Sequence, residues 1–542
     1  MELKKKKMSA EPQVTAVPYR ETGFFSKIVE DYLSGSETLR PFYQHPVSLE
    51  GIKAAIQARQ KFFNQRQLLY TELNRQYSGL KIPEKLEKHI RLLTREDTFT
   101  VTTAHQPNIF TGPVFFVYKI LHTIRLAEDL GRALPEYNFV PVYYMGSEDA
   151  DLGEIGTIFV RGEAFRWDTP QTGAVGRMQI DAAFTDLMDK MEGQLGVDSY
   201  GREIMAIFRK VYRPGISLQQ ATLELVNKLF GRFGLVVLIP DNAALKAIFK
   251  PVVRKELTAF FSHHSVEKTI ENLGKHYKVQ TSGRELNLFY LTDDLRNRIA
   301  EKDGNYQVHG TDIRFTRSEI LEELDNHPER FSGNVILRGV FQETVLPNIA
   351  FIGGGGELAY WLELKNVFET AGVPYPVLIL RNSFLLLEKK QDNKIRELGF
   401  ETKDFFLDEL TLLQQLVKRR SEHDLQLDKQ REQIAAFYQH LSTTASAVDA
   451  TLARHVEAIR SQALKKIIGL EKKMARAERK KFEAEQRQIQ KLKHQLFPGN
   501  NLQERVENLA GFYANHGETL LDTLLSVSPS LELLFVILTL DA

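Results

Sequence analysis

Four carboxylates follow directly on the apolar run FVPVYYM, in the stretch GSEDADLGEIG (146–156). They are Glu148, Asp149, Asp151 and Glu154. Carboxylates at the end of a buried strand can bind Mg²⁺, a substrate ammonium group or sugar hydroxyls, whereas burying them unpaired would be very costly. A solvated loop is the alternative for any single one of them. We expect Glu148 and Asp149 to contribute more than Asp151 and Glu154, because the sheet holds the residues nearest the strand end. The adjacent Ser147 is a substrate-binding candidate.

A second candidate is the stretch TAHQPNIFTGP (103–113), which leaves a β-branched strand and enters a helix. His105 supplies a titratable group, and its polar neighbours are Gln106 and Asn108. The pattern partly matches the H-x-G-H signature of nucleotide-transferring Rossmann enzymes, with Asn108 at the fourth position. Thr111 is the predicted N-cap of the helix. The loop is expected at the surface, where the backbone N–H groups of Thr111 and Gly112 can bind a phosphate or carboxylate. A core histidine bonded to backbone is the alternative for His105.

Glycine and arginine mark two further candidate regions. The stretch IGGGGELAYWLELK (352–365) has a glycine run that allows a ligand close to the backbone and directs N–H groups at an anion. The run comprises Gly353, Gly354, Gly355 and Gly356, and the helix after it carries Glu357, Tyr360 and Trp361. Four more polar residues, suited to carboxylate or phosphate recognition, are assigned to strand ends: Arg338, Glu343, Arg381 and Asn382.

From about residue 97 onward, the sequence repeats a pattern of apolar strand, turn and amphipathic helix, and these elements carry the candidate residues. Short apolar runs without clean alternation predict parallel strands buried on both faces, at 139–146, 234–241, 334–341 and 375–382, after a first strand near residue 100. Helices are predicted at 218–233 and 357–372. The fold class is therefore α/β, with a Rossmann-like parallel sheet whose carboxyl edge carries the site. Segments 150–215 and 262–332 are too long for crossovers and are predicted insertions.

Four regions are expected along the chain. Residues 1–96 are mostly helical, 97–384 form the interrupted core, 385–496 form a coiled-coil arm, and 497–542 pack back on the core. The arm has an eleven-residue apolar period, which is typical of a weakly right-handed coiled coil that can dimerise. This apolar seam consists of Val448, Leu452, Val456, Ile459, Ala463, Ile467, Leu470 and Met474. We expect it to pair with a helix at about 408–440 in an antiparallel hairpin.

Composition restricts the class of protein further. The 71 Lys and Arg residues nearly balance the 70 Asp and Glu residues, so nucleic acid or membrane binding would need a local patch. The 542 residues include no cysteine, which excludes disulfides and thiolate chemistry and fits a reducing cytoplasm. The lysine-rich opening has no apolar segment behind it, and no membrane span is predicted. Walker A loops, nucleophile elbows and metalloprotease helices are not found in the sequence.

Several long stretches resemble one family, that of the bacillithiol biosynthesis cysteine-adding enzyme, the cysteine ligase of that pathway. They are TAHQPNIFTGPVFFVYK, PVYYMGSEDADLGEI, LRGVFQETVLPNIAFIGGGGELAYWLELK, VLILRNS and LFPGNNLQERVENLAGFYANHG. The resemblance runs over nearly the whole chain. It implies a Rossmann-type core with two connecting-peptide insertions, a long coiled coil and a homodimer. It also implies ligation of L-cysteine to the amine of glucosaminyl-malate, the last step of bacillithiol synthesis.

This activity gives each candidate a role. Amide formation from a free carboxylate is uphill in water, so ATP, converted to ADP or AMP with or without Mg²⁺, is the expected activating co-substrate. His105, Glu148 and Asp149 are the catalytic candidates, Thr111, Gly112 and the glycine run are the nucleotide or anion candidates, and the others bind substrate. No residue is assigned to a resident metal. Two alternatives remain: a nucleotidyl-transferring or tRNA-handling enzyme with a basic RNA-binding arm, and a non-catalytic coiled-coil scaffold.

Overall fold

A computed structural model describes residues 13–280, 283–423 and 425–541. The lysine-rich opening segment lies outside the described residues. The chain divides into two compact units, one comprising Met1–Leu386 with Asn501–Ala542 and the other Leu387–Asn500. In the described ranges, no helix is long and apolar enough to cross a bilayer.

The described residues form fifteen β-strands and twenty-three α-helices. The strands are β1 Gln13–Pro18, β2 Thr98–His105, β3 Asn138–Met145, β4 Thr157–Val160, β5 Glu163–Arg166, β6 Val236–Leu238, β7 Leu288–Leu291, β8 Arg296–Lys302, β9 Asn305–Val308, β10 Arg314–Thr316, β11 Phe331–Gly333, β12 Asn348–Gly353, β13 Val377–Leu380, β14 Phe384–Glu388 and β15 Leu534–Leu540.

The helices up to the end of the sheet are α1 Tyr19–Thr22, α2 Lys27–Leu33, α3 Leu49–Gln60, α4 Arg66–Gln76, α5 Glu84–Leu92, α6 Phe115–Ala133, α7 Leu152–Ile155, α8 Ala182–Leu195, α9 Gly201–Val211, α10 Leu218–Phe230, α11 Ala243–Ala259, α12 Phe261–Leu273, α13 Arg317–Asn326, α14 Val335–Val345, α15 Gly355–Trp361 and α16 Lys365–Ala371. The later helices are α17 Lys389–Glu397, α18 Glu409–Arg420, α19 Asp428–Val448, α20 Leu452–Arg479, α21 Glu483–Leu496, α22 Leu509–His516 and α23 Thr519–Ser526.

The central sheet has five parallel strands in the order β13-β12-β2-β3-β6. This is a doubly wound order, in which the chain first moves outward through β2, β3 and β6 and then returns to the other side through β12 and β13. The reversal between β2 and β12 opens a crevice at the carboxyl ends of the strands. The predicted Rossmann-like parallel core is confirmed.

The strand predicted at 334–341 is wrong. These residues lie mainly in helix α14, which begins after the capping residue Asn334, and the strand of the sheet is the next segment, β12. The apolar residues of α14 recur at helical spacing and most of them are buried. A helix buried on most sides gives the same continuous apolar run as a buried strand, so the hydrophobic run alone did not distinguish the two.

Smaller sheets complete the first unit. Between β6 and β12 an antiparallel sheet has the order β10-β9-β8-β7-β11. A separate sheet has the order β1-β15-β14, in which β1 and β15 run antiparallel, and β4 and β5 form a hairpin between β3 and β6. Both long connections of the parallel sheet therefore contain strands of their own.

The core beneath the sheet contains a buried ion pair that ties the early helices to β12. Arg59 on α3 binds the Glu343 carboxylate at 2.6 Å, and the side chains of both residues are at most 1% exposed. Arg59 also donates to the carbonyl of Asn348, and the Asn348 side chain donates to Glu343. Burial lowers the pKa of Arg59 to about 10, although the charge of Glu343 opposes this effect. Around this network, α3 and α6 pack apolar side chains against β2, β12 and β13.

The second unit contains the predicted antiparallel hairpin, formed by α19 and α20. Arg431 near the start of α19 lies 3.5 Å from Glu471 near the end of α20, as an antiparallel pair requires. The predicted helix at 408–440 is in fact two helices, α18 and α19, separated by residues 421–427. Within the apolar seam, Val456, Ala463, Ile467 and Met474 are partly buried, whereas Val448, Leu452, Ile459 and Leu470 are exposed.

The ion pair under the sheet makes a stability prediction. Glu343→Ala leaves the Arg59 guanidinium buried without its carboxylate, and we expect a loss of about 3–5 kcal/mol in the free energy of unfolding. Urea unfolding followed by tryptophan fluorescence measures it, because Trp167 and Trp361 are both buried in this unit. The control is Glu369→Ala, whose carboxylate is 56% exposed and should change stability by less than about 0.5 kcal/mol. Equal effects of the two substitutions would contradict a structural role for the pair.

Candidate active site

A cavity of about 360 Å³ opens at the carboxyl edge of the parallel sheet. The ends of β2 and β3, helices α6, α14 and α15, and the insertion between β6 and β12 contribute its walls. Its polar lining consists of His105, Gln106, Lys119, Tyr144, Glu148, Asp149, Glu154, Arg296, Ser332, Asn334, Arg338, Glu357 and Tyr360. The crevice of a doubly wound sheet is the usual place for a ligand.

Glu148 is the most firmly held acid of the cavity. One carboxylate oxygen contacts the ammonium group of Lys246, a residue that is only 4% exposed, and the other accepts a hydrogen bond from the Ser332 hydroxyl at 2.8 Å. Lys246 also donates to the carbonyl of Glu329 at 2.7 Å. Because a buried lysine without a carboxylate would be costly, the pair fixes Glu148 at the strand end.

Asp149 and Glu154 form the less constrained part of the acidic wall. Asp149 accepts hydrogen bonds from the Gln106 side chain and from the backbone N–H groups of residues 150 and 151. Burial and the charges of Asp151 and Asp149 raise the pKa of Glu154. Asp151 does not line the cavity and instead caps α7 by accepting from the Glu154 N–H. Position along the loop therefore does not rank the four acids, because Glu154 also reaches the cavity.

Cationic side chains also line the cavity. Lys119 on α6 is 1% exposed, donates to the carbonyl of Ala104 at 2.9 Å and contacts the Glu357 carboxylate. Burial lowers the pKa of Lys119, and the charge of Glu357 opposes that shift. Arg338 on α14 donates to the Tyr360 hydroxyl at 2.7 Å and lies over the ring of Tyr144. The cavity thus holds carboxylates together with an ammonium and guanidinium groups, and the Glu357 carboxylate lies against Lys119 rather than with the acids after β3.

His105 also lines the cavity, as a neutral imidazole. Burial, together with the charges of Lys119, Arg381 and Arg338, holds its pKa well below the ordinary value. Its ring packs against Phe115 and Phe116. Its Nε2 atom is buried and has no hydrogen-bond partner among the described residues. The geometry therefore favours a proton-accepting histidine over one that is bonded to backbone through this nitrogen.

The loop after His105 differs from its prediction. Thr111 does not cap the helix, because α6 begins only at Phe115 and its N-cap residue Val114 forms no side-chain cap bond. Thr111 and Asn108 are buried and do not line the cavity, and the Gly112 N–H donates to the Ile109 carbonyl. The surface position expected for this loop is wrong as well.

The glycine run does not line the cavity either. Gly353 ends β12, Gly354 is the N-cap of α15, and Gly355 and Gly356 are its first residues. The Gly354 N–H donates to the Glu357 carboxylate at 2.8 Å, so this donor is engaged within the loop itself. The amide groups of Gly112 and Gly354 are therefore not available to an anion in this arrangement.

Five predicted substrate-binding residues lie in the protein interior away from the cavity. Glu343 pairs with Arg59, and Trp361 stacks on Phe351 in the core. Arg381 pairs with the buried Glu504 at 2.7 Å, and Asn382 donates to the carbonyl of Pro529. Ser147 is fully buried. The contacts of the first four indicate structural roles, whereas the Ser147 hydroxyl is buried without a hydrogen-bond partner among the described residues.

Several cavity residues were not identified from the sequence. Lys119 lies within a helix rather than at a strand end, and Arg296 and Ser332 come from the insertion between β6 and β12. The only available signal was their charge or polarity next to apolar residues, as in FFVYKIL for Lys119. In the described part of the chain, no group of three or more His, Asp and Glu side chains is arranged to hold a metal ion.

Comparison with known proteins identifies the family. The model for the N-terminal Rossmann-like domain of bacillithiol biosynthesis BshC matches residues 13–382, and the model for its C-terminal coiled-coil domain matches residues 384–540. The chain belongs to the BshC family. The family's two domain models together span the doubly wound core and the helical arm described above.

Curated relatives cover the same length. A protein of Flavobacterium johnsoniae named "Putative cysteine ligase BshC" is 38% identical over 96% of this chain and 99% of its own. A protein of the same name from Flavobacterium psychrophilum is 39% identical over 93% of this chain and 96% of its own. A solved structure from Campylobacter jejuni, named as an arginyl-tRNA synthetase, has 11% identity and a TM-score of 0.23 over 78% of this chain and 98% of its own. That last similarity is too low to support an inference.

Proposed function

We propose that this protein ligates L-cysteine to the amine of glucosaminyl-malate, the last step of bacillithiol biosynthesis, with ATP as the co-substrate that activates the cysteine carboxylate. The observation that carries the proposal is a single cavity lined by both carboxylates and cationic side chains. Both substrates carry positive and negative groups, and each needs a complementary partner in the protein. The name of the family's curated relatives supports the same reaction class.

The acidic wall suits the cationic and hydroxyl groups of the substrates. Asp149 and Glu154 make no ion pair with a lysine or arginine among the described residues, so their charge is available to an ammonium group or to sugar hydroxyls. Glu148 acts mainly by shaping this wall, because both of its oxygens already have protein partners. A non-catalytic scaffold would have no use for such a polar cavity.

The chemistry needs activation and a proton acceptor. ATP converts the cysteine carboxylate to an acyl-phosphate or acyl-adenylate, since direct amide formation is uphill in water. The neutral amine of glucosaminyl-malate attacks the activated carbonyl carbon, the C–N bond forms, and phosphate or AMP leaves with the electrons of the broken C–O bond. The proton lost by the amine passes to Nε2 of His105, which lines the cavity and has no hydrogen-bond partner among the described residues.

Mass spectrometry of the purified protein incubated with cysteine, glucosaminyl-malate and ATP tests the proposal, with and without Mg²⁺. We expect the mass of bacillithiol together with ADP or AMP. Asp149→Asn should lower kcat/KM by at least about tenfold because it removes a cavity charge. Asp151→Asn is the matched control, since Asp151 caps α7 outside the cavity, and its kcat/KM should stay within about threefold. The proposal fails if the wild-type protein forms no amide product.

We also propose that the arm forms a homodimer through the hairpin of α19 and α20. Its support is the part of the apolar seam that a single chain leaves exposed, including Leu470 at 47% and Ile459 at 38%. Exposed apolar rows of this kind mark interaction surfaces. A second copy of the chain is the occupant that the eleven-residue repeat favours.

Sedimentation of a double variant tests the dimer. Ile459→Glu combined with Leu470→Glu places two charges in the apolar row, each costing several kcal/mol if buried unpaired, and should shift the protein from dimer to monomer. Ser461→Glu adds a charge at an exposed polar position of the same helix and should leave the dimer intact. A dimer that persists in the double variant would place the interface elsewhere.

A further inference from the structure

Two arginines of the cavity retain hydrogen-bond donors that no described residue accepts. The Nε atom of Arg296 is buried without a partner, and its guanidinium lies over the Phe289 ring, 4.0 Å from the ring centroid. Arg338 donates from one terminal nitrogen to the Tyr360 hydroxyl, but its other terminal nitrogen, Nη1, is buried without an acceptor. A buried charged donor without an acceptor is costly, so both groups are suited to a ligand.

The carboxylates nearest to these arginines are engaged elsewhere. Glu148 is held by Lys246 and Ser332, and Asp149 accepts from Gln106 and from backbone N–H groups. Glu357 contacts Lys119 and accepts from the Gly354 N–H. Among the described residues, neither Arg296 nor Arg338 forms an ion pair with a carboxylate. The charges of Asp149 and Glu148 favour the charged form of Arg296, but no described residue accepts a hydrogen bond from Arg296 Nε or Arg338 Nη1.

The two arginines reach the cavity from separate parts of the fold. Arg296 is the first residue of β8, in the antiparallel sheet inserted between β6 and β12. Arg338 lies on α14, which leads directly into β12 of the parallel sheet. A ligand that binds both would connect the insertion to the core, and it would need at least two anionic oxygens or groups to do so.

We propose that Arg296 and Arg338 together bind a ligand with two anionic groups, and that this ligand is the malyl dicarboxylate of glucosaminyl-malate. The identification of the ligand rests on the proposed function. Guanidinium groups match carboxylates with paired N–H donors, and two such groups match a dicarboxylate. Each arginine is then a specificity-determining residue that distinguishes the malyl compound from the free amino sugar.

A nucleotide phosphate chain has the same charge pattern, and the structure favours the dicarboxylate over it. Phosphate sites in Rossmann-like folds use free backbone N–H groups of glycine loops. Here the N–H groups of Gly112 and Gly354 already donate to protein oxygens. Among the described side chains that line the cavity, the buried donors without an acceptor belong to Arg296 and Arg338.

Binding measurements with L-malate and with ADP, each alone, separate the two sources. Isothermal titration calorimetry on the full-length wild-type protein should detect binding of L-malate. Arg296→Gln and Arg338→Gln should each weaken malate binding by at least about tenfold, because each removes a charged hydrogen bond, while changing the Kd for ADP by less than about twofold. Lys302→Gln, which removes an exposed positive charge from the same strand as Arg296, should change neither Kd. Loss of ADP binding with malate binding retained would overturn the inference, as would a wild-type protein that does not bind malate.

Steady-state kinetics give a second readout that separates this inference from the proposed function. The KM for glucosaminyl-malate should rise by at least about tenfold in both arginine variants, and the KM for cysteine should stay within about twofold. An unchanged KM for glucosaminyl-malate in an active wild-type ligase would refute the arginine assignment and leave the ligase proposal intact. A wild-type protein without ligase activity would refute the proposed function, and malate titration would still decide whether the arginines bind a dicarboxylate. Arg338 is the more enclosed residue, and its substitution could lower the melting temperature. In that case the KM of Arg296→Gln for glucosaminyl-malate tests the assignment.

Discussion

Charge at the carboxyl edge of the parallel sheet is the constraint on which the site depends. Five parallel strands end there within a mainly apolar core. A charge placed in that environment must be paired within the protein or neutralised by a ligand. Lys246 with Glu148 and Lys119 with Glu357 are paired within the protein. Arg296 and Arg338 are not, and Asp149 and Glu154 make no ion pair among the described residues. The division between satisfied and unsatisfied charges identifies the groups that a substrate can engage.

The topology explains why these residues meet although they are far apart in sequence. The doubly wound order places the end of β2 beside the ends of β3 and β12, which brings His105 and Asp149 to the same crevice as Glu357. The insertion between β6 and β12 returns to this edge and adds Arg296 and Ser332. The other long connection contributes Arg177, which binds Asp241 after β6 through two hydrogen bonds of 2.7 and 2.8 Å. Both insertions are thus joined to the strand ends by charged contacts.

The sequence predicted the general fold better than the individual contacts. Apolar runs indicated four of the five parallel strands, because short buried strands flanked by turns are a strong local signal. Helix α14 was taken for a strand because it is apolar on most sides. The acidic stretch after β3 and His105 do line the cavity, since a strand end gives a definite position. Arg381 and Glu343 have the same chemistry, but their partners Glu504 and Arg59 are distant in sequence, and only the tertiary structure shows that they are already paired.

In the proposed function, one cavity lined by both acidic and cationic side chains binds glucosaminyl-malate for ligation. A crystal structure of the protein with this compound tests it most directly. We expect the ligand to bind at the carboxyl edge of the sheet. Its two carboxylates should lie within about 3.2 Å of the guanidinium nitrogens of Arg296 and Arg338. Its amine should face His105 and the acidic wall. A ligand bound outside this cavity would contradict the proposed substrate site. A ligand bound inside it with its carboxylates away from both arginines would contradict the arginine assignment.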